Sequence, residues 1–152
     1  MGAQAVALTL ALGAFAGAFH AVSGPSLVQA APTSGLSWKE FREEELNTLQ
    51  AEGRRVFVDF TAAWCVTCQV NERLVLSSPD VVQAFQNARV ELRKADWTQK
   101  DERIAKILES HGRSGVPLYL YYDFSSGDSK PRVLPEILTP GMVLDVVKGK
   151  KP

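Results

Sequence analysis

The sequence predicts an α/β domain with a mixed central β-sheet flanked by helices on both faces, and an N-terminal apolar helix outside that domain. Three observations carry this expectation. From residue 36 onward, short β-rich runs alternate with segments of helical spacing. No Lys, Arg, Asp or Glu precedes Lys39, so the start of the chain differs in kind from the rest. Cys65 and Cys68, in the stretch FTAAWCVTCQVNE, are the only cysteines and sit where a strand gives way to a helix.

A length of 152 residues allows one ordinary domain plus an appendage. Lys plus Arg equals Asp plus Glu, 17 each, so no global field points to nucleic acid or to an acidic membrane surface. A hydrophobic content of 45% suits a packed core. Two cysteines are too few for a disulfide scaffold, and a domain of this size does not need one.

Residues 1–22 form the apolar segment, with AVALTLALGAFAGAFHAV from Ala5 to Val22 interrupted only by Thr9 and His20. A membrane-spanning helix needs about 20 apolar residues, and the run with its flanks reaches that. A cleaved signal peptide explains the small residues of VQAAPT, but MGAQAV lacks a basic n-region. A buried helix of the domain is the third reading, opposed by the linker-like SGPSLVQAAPTSG over residues 23–35. His20 reads as a tolerated polar residue near the helix end.

The domain, residues 36–152, begins with WKEFREEELNTLQAEG. Trp38, Phe41, Leu46 and Leu49 follow helical spacing and Gly53 is a stop. RVFVDF is too apolar for a half-wet strand and reads as central. CVTCQVNERLVL is helical. In SSPDVVQAF, Ser78 is an N-cap and Pro79 takes the first helical position. ARVELRKAD alternates as a strand. DERIAKILESHG puts Ile104, Ile107 and Leu108 on one helix face, ended by Gly112. VPLYLYYDF is a strand, SSGDSKP a turn, and RVLPEIL an edge strand because Pro135 cannot donate to a ladder. TPGMVLDVVKG opens a last helix on Thr139 and Pro140.

The cysteine pair admits several readings. A structural zinc site wants four ligands, and His20 and His111 are the only histidines, far from the pair in sequence. Two buried cysteines can serve as small hydrophobes. Their placement just after VFVDF, at a helix N-terminus, favours instead a thiolate at Cys65, with Cys68 one turn on and able to reach its sulfur. A disulfide across so small a loop stabilises little by closure, so its use is reversible opening. The Cys65 thiolate would attack a partner's disulfide, and Cys68 would then displace the reduced partner.

Neighbouring residues extend this chemistry. Trp64 either shields the site and offers a partner an apolar surface, or packs in the core. Asp59 is an odd carboxylate on an apolar strand. Burial would raise its pKa and let it relay the Cys68 proton, whereas pointing to a loop or pairing with a lysine would make it ordinary. Glu72, four residues after Cys68, either shares the helix face of the cysteines and disfavours a thiolate, or is a solvated glutamate. Val116-Pro117 opens a strand. A cis bond there would present the Val116 backbone to an incoming extended peptide.

VFVDFTAAWCVTCQVNE, the KADWT segment and HGRSGVPLYLYY together resemble the thioredoxin superfamily, and within it the C-terminal domain of the thiol:disulfide interchange protein DsbD family. The resemblance covers roughly residues 38–149 and implies a thioredoxin fold. It implies Cys65 as exposed nucleophile, Cys68 as resolving cysteine, Asp59 and Glu72 as the acids beside the site, and Pro117 as the cis-proline. It implies no cofactor beyond the redox-active Cys65–Cys68 disulfide and no metal. It implies a protein-disulfide reductase on the periplasmic side of the bacterial inner membrane, anchored there or part of a membrane protein. Electrons would come from a membrane dithiol donor and go to disulfide-bearing proteins, supporting disulfide isomerisation and cytochrome c maturation. The apolar run would then be the end of a membrane helix, anchoring residues 5–22. Leu118, where many thioredoxins have threonine, bears on partner choice. A non-catalytic CxxC module holding copper or zinc is the alternative, and an oxidising folding factor a third.

Overall fold

The structure is a computed structural model that describes residues 35–150. The expectations for residues 1–22 and for the linker up to residue 34 lie outside the described residues. Five strands form one sheet in the order β1-β3-β2-β4-β5. They are β1 (Trp38–Glu40), β2 (Arg55–Thr61), β3 (Glu91–Asp96), β4 (Leu118–Asp123) and β5 (Arg132–Leu134). β1 and β2 run parallel to β3, β4 is antiparallel to β2, and β5 is antiparallel to β4. The helices are α1 (Glu45–Ala51), α2 (Val66–Asn71), α3 (Pro79–Asn87), α4 (Glu102–Ser110) and α5 (Pro140–Val147). A π-helical turn, Glu72–Leu76, continues α2.

The period-two alternation of β2 divides the core. Val56, Val58 and Phe60 pack on one face with Leu49 of α1 and Leu108 of α4. Phe57 packs on the other with Val81 and Phe85 of α3 and Val143 and Val146 of α5. Each such side chain contributes about 1.5–3 kcal/mol by leaving water. β4 repeats the division: Leu118, Leu120 and Tyr122 join the first core, Tyr119 and Tyr121 the second. A sheet covered on both faces is what the apolar run of β2 requires.

The expected helix from Trp38 is corrected at its start. Trp38–Glu40 is a strand, and helix α1 begins only at Glu45. The reason is tertiary. Trp38 pairs with Leu92 and Glu40 with Lys94 on β3, and the Trp38 ring meets Phe57 edge-on at 6.2 Å. Backbone bonds to a neighbouring strand and an aromatic contact outweigh a weak helical pattern. Other expected boundaries agree with the structure. Pro79 and Pro140 open α3 and α5, and Thr139 accepts the Met142 N–H at 3.3 Å. Ser78 occupies the N-cap position, but its hydroxyl donates back to the Val75 carbonyl at 2.7 Å. RVL is the edge strand β5, ending just before Pro135.

Candidate active site

β2 runs through the middle of the sheet, and its C-terminal end delivers the chain to Cys65, the N-cap of α2. The Cys68 N–H donates to Cys65 Sγ at 3.2 Å, so the first turn of the helix closes on the sulfur. Cys65 and Cys68 form a disulfide, with Cα atoms 5.3 Å apart. Both are buried, Cys65 at 6% exposure and Cys68 at 2%, which corrects the expectation of an exposed Cys65: in the disulfide form Ala62 and Val116 cover the pair, and Cys65 is only slightly the more open. The Val116-Pro117 bond is cis, and the buried Pro117 leads directly into β4.

The loop before Cys65 is laced to the end of β3. Trp97 N–H donates to the Thr61 carbonyl at 2.8 Å, and Ala63 N–H donates to Thr98 Oγ1 at 2.8 Å. Trp64 Nε1 donates to the Thr98 carbonyl at 3.3 Å, and its ring lies 5.9 Å from that of Trp97. Asp96 in turn accepts the Thr98 N–H at 2.8 Å. Trp64 is 50% exposed, which excludes a core role and leaves part of its side chain open to solvent next to Cys65 in sequence. Val66 and Val70 of α2 are exposed as well, so apolar side chains reach solvent on the helix that carries the pair.

Asp59 is buried on β2, between Lys94 of β3 and Tyr119 of β4 in the strand register. Its Oδ1 has no hydrogen-bond partner. Burial pushes its carboxyl up to about 7; the Lys94 charge pulls the other way, and the Glu72 charge adds to the rise. The lysine pairing considered for Asp59 is not made: the Lys94 ammonium donates to Glu72 Oε1 at 2.6 Å. Glu72 opens the π-helical turn after α2, and both members of this pair are about one-third exposed. The site therefore has a buried acid that titrates near neutrality, with a screened ion pair beside it.

Sequence reasoning assigned no role to Lys94, Thr98, Asn71 or Tyr119. Lys94 and Tyr119 lie on strands whose alternation was readable, but their register with Asp59 was not. Thr98 closes the KADWT segment that carries part of the family resemblance. Among the described residues no group of three or more His, Cys, Asp or Glu is placed to hold a metal ion. No described helix is long and apolar enough to cross a membrane.

Comparison with known proteins agrees with this geometry. The family model described as Thioredoxin-like matches residues 37–123. The chain is 31% identical over 108 residues to the thiol:disulfide interchange protein DsbD of Haemophilus influenzae (strain PittGG), covering 69% of this chain and 18% of that relative. The chain thus spans less than a fifth of the curated relatives' length. Among solved structures, the oxidised C-terminal domain of Neisseria meningitidis DsbD superposes with a TM-score of 0.54 at 22% identity, over 71% of this chain and 90% of that one. A Thermus thermophilus thioredoxin superposes with a TM-score of 0.59 at 23% identity, over 75% of this chain and 85% of that one. The chain belongs to the thioredoxin-like family, as a domain of the DsbD type.

Proposed function

We propose that this chain is a protein-disulfide reductase that exchanges electrons through Cys65 and Cys68. The observation that carries the reading is the Cys65–Cys68 disulfide at the head of α2, with a buried carboxyl that titrates at about 7 on the central strand behind it. In the reduced protein, the Cys65 thiolate attacks one sulfur of a partner disulfide. A mixed disulfide forms and the partner's other sulfur leaves as a thiolate. Asp59 then takes the proton of Cys68, whose thiolate attacks Cys65 Sγ. The partner leaves as a dithiol, having taken two electrons, and the Cys65–Cys68 disulfide is restored.

Trp64, Val66 and Val70 give the partner an apolar landing surface, and the Val116 backbone beside cis-Pro117 offers it strand-like pairing. The DsbD relatives support thiol:disulfide interchange, and on the family resemblance this reading puts the domain on the periplasmic side of the inner membrane with a membrane dithiol as donor. On the same resemblance its acceptors are disulfide-bearing periplasmic proteins, in disulfide isomerisation and cytochrome c maturation. The test is disulfide reduction by the reduced chain. Cys65→Ser abolishes turnover, and Cys68→Ser accumulates a mixed disulfide identifiable by mass spectrometry. Retained turnover in Cys65→Ser, or stoichiometric metal held by the pair without redox cycling, refutes the reading.

A further inference from the structure

Trp97 follows directly on β3 and has its polar groups committed within the domain. Its N–H donates to the Thr61 carbonyl at 2.8 Å, and its carbonyl accepts the Lys100 N–H at 3.0 Å. The indole Nε1 donates to the carbonyl of Asp101, the N-cap of α4, at 3.1 Å. The opposite edge of the indole reaches Gly115: a methyl group built on that glycine would lie 3.5 Å from Trp97 Cζ3. The ring also stands 5.9 Å from that of Trp64, at an angle of 59°. One partly buried side chain thus meets the loop that leads to Cys65, the start of α4 and the segment that leads to Val116. Val116 in turn packs on the Cys65–Cys68 pair.

We infer that Trp97 is a positioning residue that holds the Trp64 ring and the Gly115-Val116 segment in one fixed relation, and so sets the affinity for a partner polypeptide received there. That these two elements receive a partner rests on the reductase reading above; their bracing by Trp97 does not. Trp64 is half exposed, and its indole N–H makes a long bond of 3.3 Å to the Thr98 carbonyl. A ring held so lightly can turn, and the Trp97 ring against it restricts that freedom. Gly115 has no side chain to anchor the segment before Val116, and the Trp97 edge fills the space beside its backbone. A surface ordered before contact binds more tightly, because less conformational freedom is lost on association. Ala62 and Val116, not Trp97, are the groups packed on the two cysteines, so the effect falls on partner affinity rather than on sulfur exchange.

The test measures KM with insulin as the protein disulfide, and the rate with a small aromatic disulfide. Trp97→Leu is expected to raise KM for insulin by roughly fivefold while kcat and the small-disulfide rate stay nearly unchanged. Because Trp97 acts through Trp64, the double variant with Trp64→Ala should raise KM by less than the product of the two single changes. Leu46→Ala trims the same core from α1 and should leave KM in place. An unmoved KM in Trp97→Leu, a fully multiplicative double variant, or an equal rise in Leu46→Ala overturns the inference. Amide hydrogen exchange in the oxidised chain gives a readout without turnover. Residues 61–65 and 114–116 should both quicken in Trp97→Leu, and residues 45–51 should not. Failure of either segment to quicken, or equal quickening in all three, overturns the inference as well. Where the leucine variant is too unstable to isolate, Trp97→Phe takes its place with the same directions at smaller size. A parent chain that reduces no insulin refutes the reductase reading, while exchange still decides the bracing.

Discussion

Lys94 and Asp59 are direct partners across β2 and β3, yet the Lys94 ammonium bonds Glu72 and leaves Asp59 Oδ1 without a hydrogen bond. A lysine bound to Asp59 would hold it charged at every working pH. Because Lys94 is engaged with Glu72, desolvation prevails over its attraction for Asp59, and the carboxyl titrates at about 7.

The first prediction follows from linkage. The Asp59 carboxyl ionises at about 4 when unfolded and at about 7 when folded, so the folded state binds more protons between those values. Stability of the oxidised protein therefore falls as pH rises through that window, by up to ~4 kcal/mol for this group. Asp59→Asn removes the dependence. Urea unfolding at pH 5 and pH 8 should show the variant gaining on the parent at the higher pH; parallel curves would contradict the burial argument.

Lys94→Met removes the charge that draws Asp59 down and the partner of Glu72. The Asp59 midpoint should rise in a carbon-13 carboxyl NMR titration of the oxidised chain. The direct stability cost should stay within about 1 kcal/mol, because both members of the lost pair are partly solvated. An unmoved or lowered midpoint would contradict Lys94 as the charge that draws Asp59 down.

For Trp64→Ala the expectation separates binding from folding. Half of the side chain already faces water, so thermal stability should change little. With a protein disulfide as substrate, KM should rise by roughly fivefold, the loss of about 1 kcal/mol of contact. The rate with a small aromatic disulfide should be nearly unchanged. Equal losses with both substrates would assign Trp64 to the chemistry rather than to docking.

Trp38→Ala tests the edge strand. Trp38 packs edge-on against Phe57 and lies under the Lys94 ammonium, 5.5 Å from the ring centroid. Its removal should cost roughly 2–3 kcal/mol in denaturant unfolding. Hydrogen exchange at residues 38–40 and 92–94 should quicken more than in β4. Uniform loss of protection would show that β1 is no separate unit.

Most elements were legible because each is written in consecutive residues. The apolar run of β2, the Ser-Pro and Thr-Pro helix starts and the alternation of β3 are local signals. β1 was not legible: three residues carry too little pattern, and what holds them is pairing with a strand some fifty positions later. The site divides in the same way. Cys65, Cys68, Asp59 and Pro117 stand out by type and position. The Lys94–Glu72 pair spans 22 positions and the Asn71–Tyr119 bond spans 48, and the packing of α2 and its π-helical extension on the sheet, which brings them together, is a property of the folded chain.

The lacing of the loop before Cys65 to residues 96–98 bears on how fast electrons can pass. A backbone anchored through Thr61, Ala63 and Trp64 to the end of a neighbouring strand is held by contacts that do not involve the sulfurs. Opening and closing the sulfur–sulfur bond should then leave the surrounding scaffold where it was. Such a protein would enter each half of its cycle already shaped for the next, with little conformational reorganisation between them.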